Sequence, residues 1–471
     1  MARHLELRPG RRRHPRRHQR RGAGRPARRR VRRRPRAPGD VTAALARYDD
    51  QVGSHRIAVV GAGTAGAAAA ILLARAGHAV ALFERVAVPG PVGAGITLQP
   101  TGQAVLARLG LLDAIAARAT RVDGLVCRRP DGRAVVDLRY ADVDPGLFGY
   151  GLHRGVLFEA LLAAARAEPR IALHCGVAIV STELEAGARW LVDDGGARRG
   201  PFDAVVAADG SVSELHASGG VPVRARPYPW GALWFVAVDR GNTLTADRRV
   251  VQVVDGPRRM FGLLPTGRAP RGDDLVVSVF WSIRADRVAA FRARGLAAWR
   301  AEALALDPRT APILDQITDL AELAFTQYRD VRMPRWHGER IVFIGDAAHA
   351  TSPQLGQGAN LALWDAMCLA DAFADRGDVA AALAAYTAAR RRHLNYYQLA
   401  TRALTPLFQG DSRVLGWLRD AIFPASRWLA PVRRRMVRTM AGLDRGIVRR
   451  AIGLDELRRL ALPPAAAAAS G

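Results

Sequence analysis

The residues of this 471-residue chain that are best suited to ligand chemistry lie in its last third, at Gly345 and Asp346. They follow residues 340–344, an apolar run of β-branched and aromatic side chains that predicts a buried strand. Open α/β sheets bind ligands at the carboxyl ends of their strands, where a carboxylate can accept hydrogen bonds from a sugar-like hydroxyl chain. The pair therefore predicts a ligand-binding turn.

The residues after this turn can hold a flat ring. Pro353 interrupts the chain, and Gly356 and Gly358 let the backbone approach a ligand closely before a predicted helix at residues 359–372. A helix amino end carries partial positive charge and unpaired N–H groups, so it suits an electron-rich ring that becomes anionic on reduction. The chemistry that fits this arrangement is that of a flavin.

A second ligand-binding motif lies far upstream, where the predicted strand Arg56–Val60 leads into Gly61, Gly63 and Gly66. The three glycines permit a tight turn, close approach to a pyrophosphate and close packing of helix on strand. The next predicted strand ends at Glu84, 18 residues after Gly66, and its carboxylate can bind the ribose hydroxyls of an adenosine. An acid there disfavours a 2′-phosphate, so FAD or NAD fits better than NADP.

A third element ends in a similar way. Residues 202–208 predict a short apolar strand, and Asp209 and Gly210 close it, with Ser213 shortly after. An Asp-Gly pair is usually only a turn. Whether this pair indicates a ligand-binding site depends on the two motifs between which it lies in the chain.

These three motifs, in this order, resemble those of the single-component FAD-dependent aromatic hydroxylases, the family typified by para-hydroxybenzoate hydroxylase and the ubiquinone-ring hydroxylases. The resemblance spans residues 55–400. It implies an FAD cofactor, NADH or NADPH as a transient reductant, and transfer of oxygen from dioxygen through a flavin hydroperoxide. The implied substrate is a hydrophobic or electron-rich small molecule, such as an aromatic compound, a quinone precursor or a polyketide, that is hydroxylated or epoxidised.

The resemblance also implies roles for individual residues. The implied cofactor-binding residues are Gly61, Gly63, Gly66, Glu84, Arg85, Arg154, Asp209, Gly210, Gly345, Asp346, Pro353, Gly356, Gly358 and Asn360. The candidates for the flavin's reactive face are Pro353, Gly356 and Gln357, and no general base is implied. The family usually has an arginine shortly after Ser213, whereas this chain has Glu-Leu-His ending at His216. The choice between NADH and NADPH therefore stays open.

Because the nucleotide motifs lie at both ends of residues 55–400, we predict an α/β fold with a discontinuous Rossmann-like FAD-binding domain. Between them, alternating apolar and polar residues predict antiparallel strands at 230–239, 249–255, 260–265 and 275–283, which form an inserted substrate-domain sheet. The predicted boundaries are a disordered Arg-rich tail at 1–54, FAD-binding segments at 55–223 and 331–375, the sheet insert at 224–330, C-terminal helices at 376–460 and a frayed tail at 461–471.

Much of the net charge of +27 is concentrated at the amino terminus, where residues 1–40 hold 17 arginines and two acids, a charge of +15. This segment lacks apolar periodicity and predicts disorder. One hypothesis is a misassigned start, with the functional protein beginning near His55. The alternative is a protein that binds nucleic acid or a membrane surface through these arginines. No aromatic residue is interleaved with them, so specific nucleic-acid recognition is not expected.

Another alternative keeps the flavin fold but changes the reaction. A flavin-dependent reductase of an isoprenoid or other double bond would share the FAD motifs and incorporate no oxygen. Measurement of oxygenated product separates it from a monooxygenase.

Within the segment from Gly345 to Asn360, we expect His349 to make a structural hydrogen bond.

The remaining features concern location and surfaces. Residues 57–74 lack charge, but their glycine spacing favours a βαβ unit over a membrane span. The C-terminal helices are expected to leave their arginines in water, although basic amphipathic helices can also contact a membrane. The three cysteines are far apart, so no metal site or disulfide is expected and a cytoplasmic location is favoured. The oligomeric state is left open.

Overall fold

The computed structural model describes residues 54–446 and 451–462. The predicted Arg-rich tail, apart from Ser54, and residues 463–471 of the predicted frayed tail lie outside this range. The described strands are β1 (Arg56–Val60), β2 (Ala79–Glu84), β3 (Gly95–Leu98), β4 (Thr120–Val122), β5 (Gly124–Arg128), β6 (Ala134–Arg139), β7 (Gly149–His153), β8 (Ile171–Cys175), β9 (Ile179–Glu185), β10 (Ala188–Asp193), β11 (Arg198–Phe202), β12 (Ala204–Ala207), β13 (Arg224–Val238), β14 (Arg249–Asp255), β15 (Arg259–Arg268), β16 (Leu275–Arg284), β17 (Ala324–Arg332), β18 (His337–Gly338) and β19 (Ile341–Phe343).

The α-helices of the same described residues lie between these strands and, from Asp346 onwards, after the last of them. They are α1 (Thr64–Arg75), α2 (Pro100–Arg108), α3 (Leu112–Ala116), α4 (Arg154–Ala167), α5 (Val288–Ala293), α6 (Leu296–Leu306), α7 (Ala311–Leu314), α8 (Asp346–His349), α9 (Gly358–Asp375), α10 (Val379–Phe408), α11 (Arg413–Ile422), α12 (Ala430–Met440) and α13 (Leu454–Leu460). The predicted mixed α/β fold class is confirmed.

The first sheet has the strand order β18-β19-β12-β1-β2-β8. All neighbouring pairs are parallel except β18 with β19. The β-branched and small apolar residues of β1 and β12 are buried, as expected for the central strands of a parallel sheet. Because β19 follows the second large sheet in sequence and yet pairs with β12, the first sheet joins chain segments from both sides of the second.

Helix α1 connects β1 to β2 and packs closely on the sheet. Half of its twelve residues are alanine, and its buried positions include Gly66. A Cβ on Gly66 would lie 1.9 Å from the carbonyl oxygen of Gly61. A residue without a side chain is therefore required in the first turn of α1, where the helix lies close to Gly61. Helix α9 also packs against α1.

The second large sheet has seven strands in the order β17-β13-β16-β15-β14-β5-β6. Four of these strands overlap the predicted antiparallel run, and β5 and β6 join from residues 124–139, with β5 parallel to β14. One face of the sheet packs on α5, α6 and α7, through residues such as Phe261 and Trp281. The other face, which includes Ala232 and Phe280, packs towards the first sheet and its helices.

The C-terminal helices correct one prediction. Arginines on these helices were expected in water, but Arg390 on α10 is 1% exposed and Arg419 on α11 is fully buried. Arg391 and Arg392 are exposed as predicted. Burial of the two exceptions is possible because each meets a carboxylate, Asp365 and Asp420 respectively.

No helix within residues 54–446 and 451–462 combines the length and apolar character that crossing a bilayer requires. This finding agrees with the interpretation of residues 57–74 as a βαβ unit, since β1 and α1 occupy them.

Candidate active site

The turn at residues 61–66, here called the glycine turn, connects β1 to α1. Gly61 has a φ of +99°, and a Cβ there would lie 2.5 Å from the carbonyl oxygen of Ala208. Any other residue at Gly61 would therefore meet both backbone strain and a clash. Gly63 precedes α1 without a side-chain cap and has open space beside it, so the first N–H groups of the helix are left for a ligand.

Glu84 lies at the carboxyl end of β2, beside the glycine turn. Its Oε2 accepts a hydrogen bond from the Ala62 N–H at 3.0 Å, and its Oε1 accepts one from the Val86 N–H at 2.9 Å. The carboxylate is half-buried, and the neighbouring Arg85 is exposed. Glu84 is thus held where the adenosine end of a dinucleotide would reach the turn.

The segment from Asp209 to Ser213, the Asp-Gly loop, follows β12 and contacts the glycine turn through Ala208. Asp209 Oδ2 accepts a hydrogen bond from the Glu214 N–H at 3.1 Å. Burial raises the pKa of Asp209. His216, which lies in the stretch after Ser213 where the family usually has an arginine, has its Nε2 2.7 Å from the carbonyl oxygen of Ala347. His216 therefore links the residues after this loop to α8.

The segment from Gly345 to Asn360, the flavin turn, begins directly after β19. Gly345 has a φ of +57°, and a Cβ there would lie 2.8 Å from the Cβ of Ala65 in α1. Asp346 starts α8 with its side chain exposed, next to the glycine turn. With the Gly61–Ala208 and His216–Ala347 contacts, this packing brings the three motifs together, although about 280 residues separate the first from the last.

The second half of the flavin turn presents backbone rather than side chains. Pro353, Gly356 and Gly358 are exposed, and Gly356 has a φ of +61° with open space around it. Gln357 differs, because its side chain is buried and its Nε2 donates to the carbonyl oxygen of Met440 at 2.6 Å. Any contact of Gln357 with a flavin would come from its backbone.

Asn360 is buried, and its side chain hydrogen-bonds with the surrounding backbone. Its Oδ1 accepts from the Gln99 N–H at 2.8 Å, and its Nδ2 donates to the carbonyl oxygens of Thr97 at 3.1 Å and Gly356 at 3.2 Å. Tyr140 in turn donates to Gln99 Oε1 at 2.5 Å. Asn360 therefore joins β3 to the flavin turn and fixes the distance between them.

Arg154 begins α4 with an exposed side chain, at the position predicted for a flavin contact. Its N–H donates to the carbonyl oxygen of Ala94 at 2.9 Å. A Cβ on Gly93, which has a φ of +105°, would lie 3.3 Å from Arg154 Cδ. The arginine stem thus packs beside Gly93, in the loop that precedes β3.

A buried polar network lies under the flavin turn. Asp365 on α9 is fully buried, and its Oδ2 accepts from the Gly345 N–H at 2.9 Å and lies 2.6 Å from His349 Nε2. Its Oδ1 accepts from Arg390 Nε at 2.7 Å. Although burial opposes the charged form, His349 and Arg390 lower the pKa of Asp365 to about 2. The structural hydrogen bond expected of His349 is present.

The network continues towards the C-terminal helices. Arg390 Nη1 donates to His393 Nδ1 at 2.6 Å, so the other ring nitrogen carries the proton and donates to the Gly442 carbonyl oxygen at 3.2 Å. Burial, followed by the charge of Arg390, lowers the pKa of His393 to about 3. Sequence reasoning missed Arg390 and His393, although Leu383, Tyr386, Arg390, Leu394 and Tyr397 share one buried face of α10 at helical spacing.

These residues fit an FAD. Two helices, α1 and α9, begin at the site without side-chain caps, and glycines with open space beside them precede or begin each helix. Uncapped helix starts offer N–H groups to phosphates and to an anionic ring. Asp346, Arg85 and Arg154 extend exposed side chains at the edge of the same three motifs.

Comparison with known proteins agrees with this geometry. A family model described as an FAD binding domain matches residues 54–398. Kynurenine 3-monooxygenase from Salinispora arenicola is 30% identical over 356 residues, 72% of this chain and 77% of the relative. The 3-amino-4-hydroxybenzoate 2-monooxygenase of Streptomyces cremeus is 33% identical over 327 residues, 67% of this chain and 77% of the relative.

Solved structures share the fold. The Klebsiella pneumoniae protein HpxO, in complex with FAD and uric acid, superposes with a TM-score of 0.68 at 20% identity, over 83% of this chain and 98% of that protein. PqsL from Pseudomonas aeruginosa gives a TM-score of 0.67 at 23% identity, over 79% of this chain and 99% of that protein.

These findings confirm the predicted FAD cofactor and support the predicted monooxygenase over the double-bond reductase and the nucleic-acid or membrane-surface binder, since both relatives are monooxygenases. NADH or NADPH is the reductant typical of such enzymes. The chain therefore belongs to the family of FAD-dependent aromatic monooxygenases.

Proposed function

We propose that this monooxygenase hydroxylates a small aromatic ring that carries a hydroxyl or amino group, held between the flavin turn and the seven-stranded sheet. When bound, FAD supplies the redox chemistry that links oxidation of the nicotinamide to activation of dioxygen. The protein's own residues hold the ring, orient the substrate and exclude water. The proposal rests mainly on the composition of the sheet face that is turned towards the flavin turn.

That face is aromatic at its centre. Trp234 on β13 pairs with Phe280 on β16, with ring centroids 5.3 Å apart. A Cβ on Gly262 of β15 would lie 1.8 Å from the Phe280 ring, so the ring occupies the space above that glycine. Trp234 is only partly buried. An aromatic substrate can stack or pack edge-on against such a surface.

Neutral polar groups border the aromatic residues. Gln354 of the flavin turn donates to Gln409 Oε1 at 2.8 Å, and Gln409 at the end of α10 donates in turn to Ser282 on β16. Burial raises the pKa of Tyr328 on β17 well above its usual range, and its hydroxyl hydrogen-bonds with Gln409. Gln354 and Tyr328 are partly exposed, whereas Gln409 and Ser282 are buried. Because Gln354 belongs to the flavin turn, we propose that it contacts the substrate while the others hold it.

Amides and hydroxyls recognise a phenol or an aniline without requiring a charge on it. One relative is named for such a compound, 3-amino-4-hydroxybenzoate. A buried polar group discriminates strongly, because a substrate that lacks the matching group leaves it unpaired. We therefore propose preference for substituted over unsubstituted rings.

The test compares wild type with Trp234→Ala and Gln354→Leu, with phenols, anilines and a non-aromatic alkene as substrates, in ¹⁸O₂. We expect labelled product from the substituted rings. Trp234→Ala should retain FAD but oxidise the nicotinamide with little product, because the ring is no longer positioned. Labelled product from the alkene alone, or unchanged coupling in both variants, would contradict the proposed substrate class.

We also propose that the enzyme works in the cytoplasm. NADH and NADPH are available there, and Cys127, Cys175 and Cys368 are all free thiols, which suits a reducing compartment. Both NADH and NADPH are candidates for the reductant. Comparison of the KM values for NADH and NADPH decides between them.

A further inference from the structure

We propose that the outer face of α11 and the segment that follows it bind the surface of an anionic lipid bilayer. This surface, the arginine-rimmed apolar patch, consists of exposed large apolar side chains between residues 414 and 432. They are Val414 (70% exposed), Trp417 (69%), Leu418 (37%), Ile422 (56%), Trp428 (85%), Leu429 (53%) and Val432 (46%). Peripheral binding is independent of the substrate proposed above.

Helix α11 is oriented with its apolar face outwards. Gly416 and Arg419 are its buried residues, whereas Val414, Trp417 and Ile422 face water. An ordinary surface helix does the opposite and turns its apolar stripe to the core. A large exposed apolar patch with a polar rim marks an interaction site.

The inner side of α11 explains why this orientation is fixed. A Cβ on Gly416 would lie 2.9 Å from Pro257 Cδ, so the helix backbone rests directly on the β14–β15 turn. Arg419 Nη1 donates to the carbonyl oxygens of Gly256 at 3.2 Å and Leu407 at 3.1 Å. The guanidinium also lies 5.4 Å from the centroid of the Phe408 ring. Rotation of α11 to hide Trp417 would break all of these contacts.

The charge around the patch selects the partner. Residues 413–438 contain seven arginines and one acid, Asp420, which pairs with Arg419 at 2.7 Å. Arg413 and Arg427 are exposed and form no ion pair within the described part of the chain. Among the other acids near this segment in the chain or in ion pairs with it, Asp411 pairs with Arg284, Asp142 pairs with Arg433, and Asp444 pairs with Arg435 and Arg438. An exposed apolar surface with a positive rim therefore complements anionic headgroups over an apolar layer.

Two exposed tryptophans of the patch, Trp417 and Trp428, support lipid rather than protein as the partner. Tryptophan is enriched at the membrane interface, where its ring enters the headgroup region and its N–H remains near water. The ten residues of α11 are too few to cross a bilayer. The expected geometry is a helix that lies in the plane of the membrane surface.

The test uses the full-length FAD-loaded protein with vesicles of phosphatidylcholine, with and without phosphatidylglycerol. The first 40 residues carry a charge of +15 and can bring the protein to anionic vesicles by charge alone, so sedimentation at low salt does not test the patch. The discriminating readout is tryptophan quenching by phosphatidylcholine with brominated acyl chains, measured at raised salt, where exposed charges are screened.

We expect quenching in the mixed vesicles that is largely lost in Trp417→Phe/Trp428→Phe. Partitioning at raised salt should fall about tenfold in Trp417→Ser/Trp428→Ser. Trp190→Phe, which removes a partly buried tryptophan of β10 that lies under Arg198, is the matched control and should keep the quenching. Unchanged FAD absorbance and circular dichroism establish that the variants fold.

Two results would overturn the proposal. The first is an absence of quenching in wild type, or quenching that survives in the Phe double variant. The second is a wild-type dimer that becomes monomeric in the Ser double variant without any vesicle binding, which would identify the partner as a second copy of this chain.

Discussion

Asp365 and Arg390 form an ion pair between α9 and α10, with Arg390 Nε 2.7 Å from Asp365 Oδ1 and both side chains almost completely buried. The other oxygen of Asp365 accepts from the Gly345 N–H, the first residue of the flavin turn. The ion pair thus determines where the flavin turn leaves β19. Its effect on the cofactor is indirect, because neither residue reaches the surface of the site.

Removal of one partner should be costly. Arg390→Leu leaves the Asp365 carboxylate buried without its cation, and we expect a loss of about 3–5 kcal/mol in the free energy of unfolding. FAD should bind more weakly, because the Gly345 turn loses its anchor. Arg391→Leu removes the exposed neighbour and should change neither value. Urea unfolding and FAD titration measure both, and equal behaviour of the two variants would refute the role of the pair.

Asp346 should affect cofactor binding without affecting the fold. Its side chain is exposed, and no hydrogen bond to it is found within the described chain, so Asp346→Ala removes no internal contact. A hydrogen bond to a charged group contributes about 1.5–3 kcal/mol, which corresponds to a loss of roughly tenfold to hundredfold in FAD affinity. Asp113→Ala, in the first turn of α3, is the matched control. An unchanged FAD Kd for Asp346→Ala would remove this residue from the site.

The glycine turn offers a matched pair of substitutions. Gly61 and Gly77 have φ values of +99° and +100°, but of the two only Gly61 would bring an added Cβ within 4 Å of other backbone atoms. Both alanine variants incur backbone strain of about 1–2 kcal/mol. Gly61→Ala should lose FAD binding as well, because the Ala208 carbonyl must move, whereas Gly77→Ala should retain it. Retention of FAD by both variants would contradict this account of the turn.

Acid should destabilise the fold through His393. Its pKa is lowered from 6.5 to about 3, because burial and Arg390 disfavour the imidazolium. Below about pH 6.5 the unfolded chain therefore binds a proton at His393, whereas the folded chain binds it only below about pH 3. The free energy of unfolding falls as the pH drops from about 6.5 to about 3. The slope for one such histidine is about 1.4 kcal/mol per pH unit.

The measurement is urea unfolding of wild type and His393→Gln between pH 4 and 8, a range in which glutamine does not titrate. The variant should show a shallower decline below about pH 6.5 and the same pH dependence as wild type above it. His78, whose pKa burial lowers to about 4, contributes to the decline in both proteins. Parallel curves would exclude His393 as a source of the pH dependence.

Much of the fold could be predicted because local patterns specify it. Strand β1 has the predicted bounds, and the four predicted strands of the sheet insert lie within β13, β14, β15 and β16, apart from Asp239 just after β13. Apolar alternation and glycine spacing are properties of residues that are close together in the chain, so they can be recognised in the sequence. The parallel pairing of β5 with β14 depends on residues more than 120 positions apart and left no such pattern.

The candidate site could be predicted only in part, for the same reason. Glycines that need open space or positive φ are visible in a motif, and Gly61, Gly345 and Gly356 have those conformations. The direction of a long side chain is decided by distant partners. The Gln357 side chain points into the protein and donates to the carbonyl oxygen of Met440. Arg390 can be buried because it forms an ion pair with Asp365 on another helix.

The position of β19 beside β12 has a consequence for how the protein is made. The sheet that carries the glycine turn remains without β19 and the flavin turn until residue 360 has left the ribosome, more than 130 residues after β12. Contacts so distant in sequence form slowly, and the unfinished sheet exposes an apolar edge in the interval. Nascent chains shorter than this should therefore depend on chaperones and should be unable to retain the cofactor.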